Sequence, residues 1–386
     1  MADREPEYRL TARLASGVAA VDADQWNRCA GDADPFLSHA FLCALEESES
    51  VGGGTGWEPA PIVIERSGGE VLACAPAYFK SHSQGEYVFD HGWADAWHRA
   101  GGNYYPKLQI AVPFSPVPGR RLLTAPGAPP DLASALIRTA EQVVERHGIS
   151  SAHATFVAQD QIGLFEGAGW LIREDSQFHW ENDGYDSFDA FLAALSSPRR
   201  KSLRKERQKA QSDVEIVHLT GDAIRPEHWD AFWTFYQDTG ARKWGRPYLT
   251  RAFFDLVGSR LADKILLILA LRDGRPIAGA LNLIGADTLY GRYWGCVEDV
   301  PFLHFELCYY QAIDFAIAHG LRRVEAGAQG GHKLARGYKP VRTWSAHYIA
   351  DDNFRAAVSR FLVQERQAVG ADREWLGERT PFRKAE

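Results

Sequence analysis

Apolar positions along the chain switch between helical and strand spacing in an order that occurs twice. In the first half, "DADQWNRCAG" and "DPFLSHAFLCALEES" carry apolar residues at helical spacing, and Ser38 is placed to cap the helix bearing Phe41, Leu42 and Leu45. "APIVIERSGGEVLACAPAYFK" reads as strand, Ser-Gly-Gly turn, strand. An apolar run from Leu108 to Phe114 leads into the turn-rich "SPVPGRRLLTAPGAPP". "DLASALIRTAEQVVERHG" then predicts a long helix, with Asp131 near its start and Gly148 after its end. The strand "SSAHATFV", the short helix "QIGLFEGAGW" and the strand "FHWEN" close the half.

The second half runs in the same order. "EHWDAFWTFYQDTGARKWG" is helical, with Trp229, Phe232, Trp233 and Tyr236 on one side. "KILLILALRDGRPIAGALNLIGADTLYGRYWGC" predicts three strands joined by Asp-Gly and Gly-Ala-Asp turns. "HFELCYYQAIDFAIAHG" is a helix stopped by Gly320. The strand "LRRVEAGAQ", the short helix "GHKLARGYKP" and the strand "TWSAHYIA" follow. Such a long-period repeat points to duplication of a mixed α/β domain. The expected division is 1–182 and 183–386. Its join carries two helices interrupted at Ser196, Ser197 and Pro198.

Composition is that of an ordinary globular protein, with 45% hydrophobic and 24% charged residues. The five cysteines are scattered without CxxC spacing, so neither a zinc site nor a disulfide framework is expected, and no metal. No apolar run reaches the length of a membrane span and the N-terminus lacks a signal-like apolar region. The expectation is a cytoplasmic protein without membrane insertion. A net charge of −7 argues against wholesale nucleic-acid coating. It hides one basic segment, "RRKSLRKERQK" at 199–209, with seven Lys/Arg and a single Glu. Arg200, Arg204 and Arg207 fall on one helical stripe, and two readings fit: a solvated polar face, or a phosphate-binding stripe.

The element order, the Gly-aromatic turns "LFEGAGW" and "KLARGYKP", and the stretches "SSPRRKSLRKERQ", "RYWGCVEDVPFLHFELCYYQAIDFAI" and "EAGAQGGHKLARGYKPV" together resemble the FemAB-like group of the GNAT acyltransferase superfamily. That group is related to the Fem aminoacyl-tRNA-dependent ligases and the leucyl/phenylalanyl-tRNA–protein transferases. The resemblance implies an α/β fold of two tandem GNAT-like domains, each a mostly antiparallel mixed sheet flanked by helices. It implies transfer of an acyl or aminoacyl group to a primary amine of a small molecule or peptide, such as a cell-envelope precursor. The co-substrate would be aminoacyl-tRNA, bringing the tRNA acceptor end as a partner, or acyl-CoA, with no tightly bound cofactor. The alternative is a non-catalytic precursor-binding protein that keeps the fold.

A GNAT pyrophosphate loop is glycine-rich, because its backbone amides cradle the phosphates. Here the first half offers "SPVPGRRLLTAPG", with Arg120 and Arg121 as candidate phosphate contacts. The second offers "EDVPFLHFE", without glycine and with two acids. For proton removal from the amine the candidates are Glu298, His304 and Glu325. Candidate substrate contacts are Arg292 and Trp294 at a strand end, Arg242, Lys243 and Trp244 in "ARKWG", and His332, Lys333, Arg336 and Tyr338 in "GGHKLARGY". Cations at the start of a helix are unfavourable unless an anion binds there, and the double glycine permits its close approach.

Overall fold

The computed structural model describes residues 9–243, 247–327 and 330–383, the last five residues of the first stretch by backbone alone. It is a mixed α/β protein of two GNAT-like units, as expected. The units are not contiguous halves, however. One comprises Met1–Asp175 with Thr343–Gln367, the other Ser176–Arg342 with Ala368–Glu386.

The first unit holds two sheets. Strands Leu10–Leu14, Ile62–Arg66, Glu70–Ala75 and Leu123–Thr124 form one of them, all antiparallel. In the other, Trp57–Pro59 pairs with Ala77–Lys80, then come Lys107–Ile110 and Ser151–Thr155, and last the Ser345–Ile349 part of strand Lys339–Ile349. Helix Leu132–His147 ends on the left-handed Gly148, as the sequence predicts, and covers one face of this second sheet. Leu108, Ile110, Ala152, Ala154 and Ala346 supply that face, because alternate strand residues point the same way.

The opposite face is equally buried but polar. Tyr78 and Lys80, Lys107 and Gln109, Ser151, His153 and Thr155, and Ser345 and His347 occupy the alternate positions, none more than 4% exposed. Lys80 and Lys107 stand directly across from each other, which is repulsive for like charges. Two carboxylates from the following segment offset this. The Lys107 ammonium donates to Glu86 (2.7 Å), Asp90 (2.5 Å) and Ser83 (2.9 Å). Tyr104 donates to Asp90 (2.7 Å), and the Lys80 ammonium lies 3.7 Å from Glu86 and over the Trp57 ring. His153 and His347 share one hydrogen bond through their Nδ1 atoms at 2.7 Å. Burial holds His153 down to about 3 and His347 well below its usual value, so the pair is neutral near pH 7.

Helix His91–Arg99, not among the elements expected, seats Trp93 against His347. Further elements not expected include strands Leu10–Leu14 and Glu215–Leu219 and helices Arg251–Arg260 and Asp352–Gly377. Among the described residues no helix is long and apolar enough to cross a membrane.

The second unit is built on strands Glu215–Leu219, Ile265–Arg272, Arg275–Ile284 and Thr288–Cys296, antiparallel in that order. Arg323–Glu325 then runs parallel to Thr288–Tyr290 and pairs on its other side with His179–Glu181. Helix Pro226–Lys243 lies so close to the sheet that a Cβ on Gly295 would fall 2.1 Å from the Phe235 carbonyl oxygen, so only glycine fits there. Helices Phe188–Ala194 and Ser197–Ala210 form the expected pair, broken at Leu195–Ser196.

Candidate active site

Among the described residues, strand Thr288–Cys296 has a parallel neighbour only over its first three residues. Beyond Tyr290 and Glu325 the two strands part. In open α/β sheets such a divergence at the carboxyl end of parallel strands is where ligands bind. A cavity of about 100 Å³ occupies the gap, lined by Gly291, Arg292, Trp294, His304, Tyr309 and Ala326 among others. A second cavity of about 240 Å³ continues past Trp294 and His304, which line both, to the loop Glu298–Phe302.

The helix that carries His304 is not uniform. It begins as Leu303–Phe305, continues as a π-helical segment Glu306–Tyr310 and resumes as Gln311–Ala318. Such π segments inside helices are frequent at functional sites. This one turns Tyr309 toward the short 3₁₀ helix Gly331–Arg336, where the Tyr309 hydroxyl and His332 Nε2 are 2.8 Å apart. His304 packs edge-on against both Trp294 and Tyr309.

The cationic cluster of "GGHKLARGY" folds inward. Lys333 is 2% exposed and donates to the Gly327 carbonyl at 2.7 Å; burial lowers its ammonium to about 8. Arg336 lies over the Phe305 ring, with its guanidinium 3.4 Å from the centroid, and donates to the His332 carbonyl (2.9 Å) and to Glu206 (2.8 Å). The expectation of Arg336 as a free anion clamp is therefore corrected: the anion it meets is Glu206 of the same chain. Tyr338 is fully buried in the core beside Tyr309, which makes it a packing residue rather than the expected substrate contact.

Helix Ser197–Ala210 has two faces. The inner one buries Leu203 and Ala210 and presents Glu206, which also accepts from Tyr310 at 2.5 Å, and Arg207. Arg207 donates to Glu306 (3.1 Å) and Asp314 (2.6 Å), so it is a structural ion-pair residue and not part of a free phosphate stripe. Glu306 is fully buried, and its Oε1 accepts in addition from Gln211 and Gln311. Arg204 pairs with Asp189 at the surface, and Arg200 reaches the Ala193 carbonyl at 3.5 Å. On the outer face Arg199, Lys201, Arg204, Lys205 and Lys209 are exposed.

Other expected residues fall elsewhere. Both carboxylate oxygens of Glu298 are engaged, by Arg272 and by Arg275 (2.9 Å). Glu325 is buried 3.7 Å from both His179 and Arg323. Arg121 has no exposure and spends its guanidinium on the Val117, Thr155 and Arg120 carbonyls, which rules out the expected phosphate contact. Arg120 is half-buried near the Cys29 carbonyl and Thr124. The side chains of Arg242, Lys243 and Trp244 lie outside the described residues. Among the described residues no group of three or more His, Cys, Asp or Glu is placed to hold a metal ion. Sequence reasoning missed Glu206, Glu306 and Tyr309. Only Glu206 carried a signal, as the lone acid among seven cations.

Residues 17–384 match the model of the FemAB-like family, described as peptidoglycan biosynthesis/recognition. Among solved structures, the chain is similar to FemX at 12% identity, over 87% of this chain and 97% of that one, with a TM-score of 0.54. It is also similar to L-PGS from Bacillus licheniformis at 10% identity, over 86% and 97%, with a TM-score of 0.51. At these identities the likeness speaks for the fold. No curated protein sequence matches the chain.

Proposed function

Because the chain belongs to the FemAB-like family and is an enzyme of the acyltransferase class, we propose that it joins an acyl or aminoacyl group to a primary amine by direct transfer in the second unit. The observation that carries this reading is the opened strand pair, whose cavity gathers His304, Arg292 and Trp294 beside the buried Lys333. The amine nitrogen attacks the donor carbonyl, and His304 takes up the proton the nitrogen sheds. Lys333, whose buried ammonium rests on the Gly327 carbonyl close enough to Arg292 to feel its charge, supplies positive charge that favours the oxygen becoming negative in the tetrahedral state. As that state collapses the new C–N bond remains. The C–O bond of an ester donor or the C–S bond of a thioester breaks, and the leaving group departs with a proton.

His304 is preferred to Glu298 and Glu325 because both carboxylates lie against cationic neighbours, whereas His304 lines both cavities. Aminoacyl-tRNA is the donor class favoured by the five cations on the outer face of helix Ser197–Ala210, and a cell-envelope precursor is the acceptor class favoured by the family. The glycine-free "EDVPFLHFE" speaks against a pyrophosphate seat of the usual kind in this unit.

Turnover with charged tRNA against acyl-CoA, each offered to amine-bearing precursor peptides, tests the reading; amide formation with neither donor refutes it. His304→Gln should lower kcat about a hundredfold or more, and near-normal turnover would remove His304 from the role. Reversing Lys201, Lys205 and Lys209 to Glu should weaken donor binding and flatten its salt dependence. Donor affinity unchanged by both salt and reversal would return this face to simple solvation.

A further inference from the structure

The second cavity defines the acyl group, an inference that rests on the transfer reading above. Its walls past Trp294 and His304 are Val300, Pro301, Phe302, Leu303 and Phe305. Phe302 stands in the left-handed region, at φ 66°, which aromatic side chains seldom adopt. That backbone is held while the Phe302 ring remains 42% exposed as part of the cavity wall. A strained residue on a ligand-sized cavity is a reason to look for a ligand. The carboxylates on this cavity's wall are Glu298 and Asp299, of which Asp299 is exposed, and the partly buried thiol of Cys296 lines it as well.

We propose that this chamber takes the apolar portion of the transferred acyl group and rejects anionic ones. A donor of either class carries phosphates on its leaving portion. The cationic side of the first cavity, at Arg292, suits that portion. The carbonyl then falls at the Trp294–His304 wall, and the acyl chain points to Val300 and Phe302. A short acyl group would leave the chamber filled by water against apolar walls; a longer aliphatic or aromatic one displaces that water. Asp299 at the rim disfavours a second carboxylate on the acyl group.

Binding of product-like amides tests this without requiring turnover. N-Methylacetamide, N-methylbutanamide and N-methylhexanamide are titrated by ligand-observed NMR, with N-methylsuccinamate as the anionic comparator. Affinity should rise about fourfold for each methylene buried, the equivalent of ~0.8 kcal/mol. The succinamate should bind no better than the acetamide. Val300→Asp should erase the chain-length gain, and Phe302→Ser, at an exposed position, provides a second variant if the first is poorly folded. Equal affinity across the neutral series in the wild-type protein overturns the proposal, as does tightest binding of the succinamate. Amide formation from an acetyl or alanyl donor together with a flat series would sink the apolar chamber and leave the transferase reading standing. A rising series with no turnover from any donor would do the reverse.

Discussion

Lys333→Met should lower kcat by about a hundredfold to a thousandfold, the usual cost of removing one group that meets the developing oxyanion. The same change should leave the protein as stable or more so. Burial lowers the Lys333 ammonium from 10.5 to about 8, so at neutral pH the folded chain bears a penalty on the order of 3 kcal/mol for keeping it charged. The sign follows from proton binding. A lysine whose folded value lies below its unfolded one opposes folding below about 8, and that opposition fades as pH rises from 8 toward 10.5. The wild type should therefore gain stability over that window relative to Lys333→Met. Activity runs the other way. The cation is present below about 8 and lost above it, so the wild-type rate should decline on that limb while the residual rate of the methionine variant does not. Measured kcat–pH profiles and urea midpoints for the two proteins separate the outcomes. A variant with lost stability and unchanged kcat would make Lys333 a structural residue.

Lys107→Met in the first unit should instead cost about 3–5 kcal/mol, because it leaves Glu86 and Asp90 buried without their shared cation. Burial raises Glu86 to about 7, while Asp90 is held well below its usual value: burial opposes ionisation there, but Lys107 beside it more than compensates. A carboxyl depressed in the folded state supplies stability above its ordinary range and loses it as pH falls. In Lys107→Met that support is gone, and protonating the stranded carboxylates relieves the damage. The gap between wild type and variant should therefore narrow as pH is lowered from 7 toward 4. Denaturant midpoints across that range check it, and a gap that is small or insensitive to pH would mean that the carboxylates find other partners.

The two cases also mark how far the sequence could be read. Element order was legible because its signals are local. Ser38 accepts the Phe41 amide, Gly148 and Gly337 adopt the left-handed turn that ends their helices, and the Asp-Gly turn sits between strands Ile265–Arg272 and Arg275–Ile284. Helix His91–Arg99 was missed because its Trp, His, Asp and Gly content suits a loop equally well. The alternation that places Lys80, Lys107, His153 and His347 on one sheet face is visible in the strands, but alternation alone does not say that the polar face is buried too.

At the candidate site the positions were legible and the partners were not. Arg292, Trp294 and His304 come together because they flank one strand–helix junction. Arg336 and Glu206 are 130 residues apart, and Arg207 and Glu306 are 99 apart. Ion pairs at that separation leave no spacing signal, so a helix that reads as uniformly basic conceals two inward-facing side chains that hold the site's wall.

The π-helical segment Glu306–Tyr310 gives the second unit an unusual response to a change in length. An α-helix advances about 100° per residue, so losing one residue normally turns everything beyond it off its packing face. Here the wider turn already carries one residue more than a regular helix needs. A single-codon deletion within 306–310 would let the helix close into regular form with Gln311–Ala318 still on the core, while the residues before it move by one position against the cavity. Sequence length at this point is thus a separable variable: the shorter gene product should still fold, with His304 displaced from its place on the pocket wall.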